Sequence, residues 1–131
     1  MIKKLPFKFA LNSMLALLSL VCVFHLLVIT QIIPYTIVWA GKLNSLQEML
    51  VFETVSIIVN IFLICVILSK GNYIKKLLSE KVLIIILWFF VIVFSLNTIG
   101  NLFSKTSFET LVFTPLTFIS AILCFRIIKG E

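Results

Sequence analysis

The chain has 131 residues, of which 62% are hydrophobic and only 12% are charged, with a mean hydropathy of +1.25. A soluble domain usually carries about twice that share of charge, and one this small has too much surface for its volume to hide so many apolar side chains. The composition therefore excludes an ordinary water-soluble domain. It predicts an integral membrane protein with a single domain over residues 1–131.

The net charge of +6 follows position along the chain, which argues against a nucleic-acid-binding surface. Basic side chains lie before the first apolar run, between the second and third, and after the fourth, whereas only Lys42 and Lys105 lie in the other two loops. Because membrane proteins keep Lys and Arg in cytoplasmic loops, this bias predicts that both termini and the middle loop are cytoplasmic. The partner expected for these charges is the lipid bilayer rather than nucleic acid. The residues on that side are Lys3, Lys4, Lys8, Lys70, Lys75, Lys76, Lys81, Arg126 and Lys129.

Four apolar segments divide the chain, each near the length of about 20 residues that a helix needs to cross a bilayer. They predict transmembrane helices at about residues 10–33, 46–68, 80–102 and 107–128. The first segment is longer than a signal-peptide core and has no small-residue cleavage site, so we expect it to remain as a helix. The predicted fold class is all-α, an integral membrane four-helix bundle of two helical hairpins, N-in/C-in. The short loops are typical of a bacterial cytoplasmic (inner) membrane protein.

Capping motifs predict where three of the helices begin. Ser45 and Glu48 form a capping box before the second helix, in which the hydroxyl and the carboxylate bind amides that the helix leaves free. Ser79 is expected to cap the third helix. Thr106 and Glu109 form a second capping box before the fourth.

Other residues predict where the helices end. Pro34 is expected to end the first helix. Lys70 and Gly71 are expected to end the second, the lysine by complementing the helix dipole and the glycine by taking a left-handed cap conformation. Arg126 is placed near the end of the fourth helix, where its guanidinium is expected to reach cytoplasmic water.

A few polar residues lie inside the spans and form the candidate site. Glu53 lies about two turns inside the second helix, where insertion of an acidic residue costs roughly 2.5–3.5 kcal/mol and calls for a partner. Helical spacing places Ser56 and Asn60 on the same face, which must point into the bundle because lipid cannot satisfy it. His25 lies at a depth that brings it near Glu53 or Asn60, and Asn97 lies near the outer end of the third helix. We predict that these five residues bind a ligand; the alternative is that they only hold helices together by hydrogen bonds.

The polar residues share one depth in the membrane. Gln31, Asn101 and Thr114 also fall in the outer half, whereas the inner half is nearly all apolar. This bias predicts a shallow polar pocket that opens to the outer face beneath two interfacial aromatic residues, Tyr35 and Trp39. It disfavours a continuous polar path, and therefore a pore, through a single copy.

The fourth helix carries a stripe of small residues at helical spacing. Thr110, Thr114, Thr117, Ala121 and Cys124 recur on one face. Small residues let two helix backbones approach closely in lipid. The stripe therefore predicts a helix-packing face, either within the monomer or between two copies in a homodimer or larger membrane complex.

Catalytic, metal and cofactor signatures are missing from the sequence. One histidine and three cysteines on different segments give no metal-ligand spacing, and there is no phosphate-binding loop or nucleophile–base motif. We therefore predict no catalytic residues, no metal and no cofactor, and a non-catalytic role: binding of a small molecule or lipid, or assistance to a membrane assembly. Two alternatives stay open. One is a membrane-embedded, isomerase-like enzyme that uses Glu53 and His25, and the other is a small dimeric transporter.

Overall fold

The computed structural model describes residues 5–34, 45–103 and 109–130, and these residues form four long helices. Helix α1 is Phe7–Ile29, α2 is Leu46–Lys70, and α3 is Glu80–Leu102. A π-helical turn, Glu109–Phe113, leads directly into α4, Thr114–Lys129. With the π-helical turn counted together with α4, all four helices are long and apolar enough to cross a membrane. The prediction of an all-helical chain with four such helices is confirmed.

Helix α1 ends earlier than the sequence suggested, at Ile29 rather than about residue 33. Gln31 lies in the left-handed region, with a φ of 65°, and the amide of Ile33 donates to the carbonyl of Leu27 at 3.2 Å. The residue before a proline is biased away from the helical conformation, so Pro34 makes a turn at this point favourable. The helix also begins earlier than predicted, at Phe7, directly after Pro6.

The start of α4 is widened into a π-turn, and a proline explains why. Pro115 has no N–H, and its ring would clash with the carbonyl four residues earlier in a regular helix. The wider hydrogen-bonding pattern over Glu109–Phe113 accommodates the ring without ending the helix.

Two of the predicted caps are present. The hydroxyl of Ser45 accepts a hydrogen bond from the amide of Glu48 at 3.1 Å, and that of Ser79 accepts one from the amide of Val82 at 3.3 Å. The predicted capping box of Thr106 with Glu109 lies outside the residues whose side chains are described.

The end of α2 differs from the prediction. Gly71 has a φ of −86°, so the expected left-handed cap is wrong, and the left-handed residue is instead Asn72, with a φ of 61°. Glycine is favoured at position 71 by packing, because a Cβ there would lie 2.7 Å from Cδ1 of the buried Leu11.

Neighbouring helices differ in how closely they pack. Helix α4 packs most extensively against α3, and α1 packs against both α2 and α4, whereas α2 and α3 share little contact. The helices are therefore arranged around the bundle in the order α2, α1, α4, α3. The α2–α3 side is the least closed.

The first residues of α1 and α3 and the last residues of α2 and α4 meet at one end of the bundle, which we call the basic end. Lys70 is buried there and pairs with Glu80. Arg126 is only 8% exposed; its Nε donates to the carbonyl of Leu5 and its Nη1 to that of Gly130, each at 2.7 Å. The prediction that Arg126 extends into water is therefore wrong. Two backbone carbonyls accept hydrogen bonds from the guanidinium at this end of the bundle.

Two apolar clusters form the interior. The larger extends from the basic end to the middle of the bundle and includes Leu11, Met14 and Ile67. The smaller is built on Val28 and Met49, with Phe24 and Phe113 packed against them. Between the two clusters the helices leave space for a cavity.

Candidate functional site

A cavity of about 400 Å³ lies between the two apolar clusters and is lined by all four helices. The five residues predicted to bind a ligand all line it: His25 on α1; Glu53, Ser56 and Asn60 on α2; and Asn97 on α3. The three α2 residues meet there because positions three and four apart share a helix face. Their part in binding stays a prediction, but the structure brings the whole set to one cavity.

The contact between His25 and Glu53 is the centre of the site. Glu53 is fully buried, with 0% of its side chain exposed, and His25 is 13% exposed. Nδ1 of the imidazole and Oε2 of the carboxyl are in hydrogen-bonding contact. His25 therefore lies beside Glu53, as the positions of the two residues along their helices predicted. A partner of this kind is what an acidic residue inside a membrane requires, since an isolated carboxylate in an apolar medium costs far more than a paired one.

Apolar packing holds the two residues at this depth. Met49, one turn before Glu53 on α2, is fully buried against Val28 of α1. The rings of Phe24 and Phe113 meet edge to face, with their centroids 5.0 Å apart, on the side of the cavity away from the basic end. Glu53 lies seven residues after Leu46, the first residue of α2, and therefore about 10 Å along the helix axis from the end of α2 opposite the basic end.

The remaining polar groups of α2 and α3 form a band around the cavity. Nδ2 of Asn60 donates to the carbonyl of Ser56 at 2.7 Å, which leaves its Oδ1 available to a ligand. Asn97 lines the cavity and is also exposed, and Asn101 lines it next to Asn97. The carbonyl of Asn101 accepts a hydrogen bond from Thr110 at 3.1 Å.

Sequence reasoning missed part of the α4 wall. Thr117 and Ser120 line the cavity, and the hydroxyl of Thr117 is 2.8 Å from that of Thr98 on α3. The available signal was their spacing of three residues, which places them on one face. The sequence predicts only a helix-packing role for Thr117.

The small-residue stripe of α4 runs largely through the interior. Thr117, Ala121 and Cys124 are buried, whereas Thr110 and Thr114 are half-buried. Among the described residues, the Thr114 hydroxyl has no hydrogen-bond partner. The stripe's role in joining two copies stays a prediction.

Not every residue of the predicted outer pocket reaches the cavity. Gln31 is exposed in the turn after α1, and neither it nor Thr114 is among the lining residues. Gln31 is displaced because α1 ends before it. Tyr35 and Trp39 lie outside the described residues, so the interfacial aromatic pair stays a prediction.

The chemistry available in the cavity is hydrogen bonding and proton exchange. Across residues 5–34, 45–103 and 109–130, no three His, Cys, Asp or Glu side chains come together as a metal site would require. The wall is mostly apolar, with a few polar groups placed around one paired carboxyl. Such a wall suits a molecule with a large apolar part and a small polar part.

Comparison of the chain with known protein families, with curated proteins and with solved structures found no match in any of the three. The chemistry of the cavity therefore carries the functional argument by itself.

The His25–Glu53 contact can be tested by a double-mutant cycle. We expect His25→Leu to lower the free energy of unfolding by about 1–2 kcal/mol, the upper range for interhelical hydrogen bonds in membranes. Removing one partner of a buried ion pair in a soluble protein typically lowers the free energy of unfolding by about 3–5 kcal/mol. We expect a smaller loss here, because polar side chains of the unfolded, membrane-inserted chain also form hydrogen bonds. The double variant His25→Leu/Glu53→Met should recover most of the loss, since no buried carboxyl remains.

Unfolding in SDS, followed by circular dichroism, measures these differences. Ser19→Ala is the control, because Ser19 is exposed and bonds only to the Leu15 carbonyl of its own helix. A His25→Leu variant as stable as the parent would show that the pair does not join α1 to α2.

Proposed function

We propose that this chain is a non-catalytic membrane protein that binds a small molecule or lipid in the cavity, alone or as an accessory of a larger membrane assembly. One observation carries the proposal: a fully buried carboxyl, paired with a histidine, faces a cavity that all four helices line. A pair that served only to join helices would not need open space beside it. The volume of about 400 Å³ lies within the range of about 300–1,000 Å³ typical of ligand sites.

The composition of the wall supports binding over a purely structural role. Ser56, Asn60 and Asn97 all line the cavity, in addition to the paired residues. A set of helix-joining groups would be expected to hydrogen-bond across helices, whereas the Asn60 amide bonds within its own helix. Polar groups gathered around a mostly apolar space are the usual composition of a ligand pocket.

A second candidate is an isomerase-like enzyme, and one observation favours it. The direct contact between Nδ1 of His25 and Oε2 of Glu53 is an arrangement through which a proton can be exchanged. In that case the same two residues would act as acid and base on a bound molecule. A substrate for such a reaction would occupy the same cavity.

The proposed orientation is that of a bacterial cytoplasmic membrane protein with the basic end in the cytoplasm. Its support is the cluster of Lys70, Lys76, Arg126 and Lys129 at one end of the bundle. We expect fluorescent-protein fusions at either terminus to fluoresce and alkaline phosphatase fusions at the same points to be inactive. Active phosphatase at either terminus would contradict this orientation.

Binding can be tested by mass spectrometry on protein purified in lipid nanodiscs. The parent should carry a molecule enriched over the surrounding lipid, and Glu53→Gln and Asn60→Leu should each lower its occupancy by about tenfold, a loss of ~1.4 kcal/mol. Ser95→Ala is the matched control, because Ser95 is exposed, bonds only to the Val91 carbonyl of its own helix and does not line the cavity.

Growth of cells that depend on the protein gives an independent measure. The proposal fails if both cavity variants insert, fold, keep the same bound molecules and support growth like the parent. Loss of the bound molecule in folded variants would instead support it.

A further inference from the structure

The cavity has a mouth on the side of the bundle, between α2 and α3. These two helices pack together least of the neighbouring pairs. Val55 and Val59 on α2 line the cavity and are nevertheless 54% and 42% exposed. Asn97 on α3 also lines the cavity and is also exposed. A side chain that both lines a cavity and is exposed must lie at its opening. We call the opening between these three residues the lateral mouth.

The lateral mouth lies at the depth of the hydrocarbon. Val55 and Val59 are 9 and 13 residues from the first residue of the 25-residue α2, or about 14 and 20 Å along its axis. Phe52 and Phe62, three residues before and after them, are large, apolar and exposed. A helix that crosses the membrane presents such residues to lipid chains, so the mouth opens onto lipid rather than onto water.

Apolar contacts cover the cavity toward both ends of the bundle. On the side away from the basic end, Phe24 meets Phe113, and the fully buried Met49 and Val28 lie beside them. On the other side the larger apolar cluster fills the interior down to the basic end. Within the described part of the chain, the flank between α2 and α3 is therefore the side on which the cavity is least covered.

The charge of the wall selects the polar part of the ligand. Among the described lining residues, His25 and Glu53 are the ionisable ones, and each faces the other. The imidazole and the carboxyl are already each other's partners, so neither is left to act as counter-ion to a charged head group. A charged head group placed beside the pair would therefore stay uncompensated in an apolar setting, which is unfavourable. An uncharged hydroxyl or carbonyl can hydrogen-bond to the same groups without that cost.

We infer that the ligand is a neutral amphiphile, an apolar chain or ring system with one uncharged hydrogen-bonding head, that enters from the bilayer through the lateral mouth. This inference rests on the proposed binding function and names its ligand class and its route. The head group reaches the His25–Glu53 pair, and the apolar body lies along the wall formed by Phe90, Phe94 and Leu116.

Photolabelling of the full chain in phosphatidylcholine nanodiscs tests the inference. The probe is a long-chain fatty alcohol with a diazirine in its chain, and labelled residues are mapped by peptide mass spectrometry. In the parent we expect labels on Leu116 and Ser120, which line the cavity on α4. A fatty acid and an alkyl trimethylammonium with the same diazirine chain should label these positions about tenfold less, or ~1.4 kcal/mol in affinity.

Narrowing the mouth should block access. Val59→Trp should lower α4 labelling by the fatty alcohol about tenfold, and Asn97→Trp, on the opposite side of the mouth, provides a second variant should the first fail to fold. Ile61→Trp is the matched control. It adds the same ring to the same helix at a neighbouring depth, at an exposed position two residues away that does not line the cavity.

The outcomes separate this inference from the proposed function. If folded Val59→Trp and Asn97→Trp label like the parent while Glu53→Gln loses labelling, the cavity binds but the lateral route is wrong. If a short, water-soluble diazirine alcohol labels α4 as strongly as the long-chain probe, the ligand class is wrong. If the fatty alcohol marks α4 cavity residues no more than lipid-facing Ile58, the proposed function itself fails.

Discussion

A carboxyl group that is completely removed from solvent inside an apolar bundle is the constraint on which this structure depends. Glu53 tolerates that position because His25 of the neighbouring helix meets it directly. The pair therefore sets how α1 and α2 are rotated about their axes, since neither side chain can turn toward lipid without losing its partner. With the rotation of α2 set, Ser56 and Asn60 are directed to the same side as Glu53.

The rest of the bundle leaves space around this pair instead of closing over it. Along the bundle, one apolar cluster fills the interior on each side of the cavity, and α4 packs closely against α3 and α1. The α2–α3 interface does not close to the same degree, and the cavity reaches the surface there. At the basic end, buried Lys70 pairs with Glu80 and buried Arg126 donates to two backbone carbonyls, so these charges join the helix ends.

Much of the helical framework could be predicted from the sequence, because hydropathy and capping are local properties. The spans, the caps at Ser45 and Ser79, and the shared face of Glu53, Ser56 and Asn60 depend on residues close in the chain. The features that the sequence did not predict depend on contacts between residues that are far apart in the chain. Gly71 is explained by the approach of Leu11, which no local pattern reveals. The spacing of Thr117 and Ser120 places them on one face of α4, but it does not reveal that Thr117 meets Thr98 of α3.

The chain contains a single histidine, which makes the central contact directly measurable. Solid-state NMR on protein in lipid bilayers, with ¹⁵N in the histidine ring and ¹³C in the glutamate carboxyls, reports whether the two groups are in contact. We expect a measurable dipolar coupling between Nδ1 of His25 and one carboxyl carbon, and its disappearance in Glu53→Gln. A parent protein that is folded in the bilayer and shows no such coupling would contradict the structure at its central point.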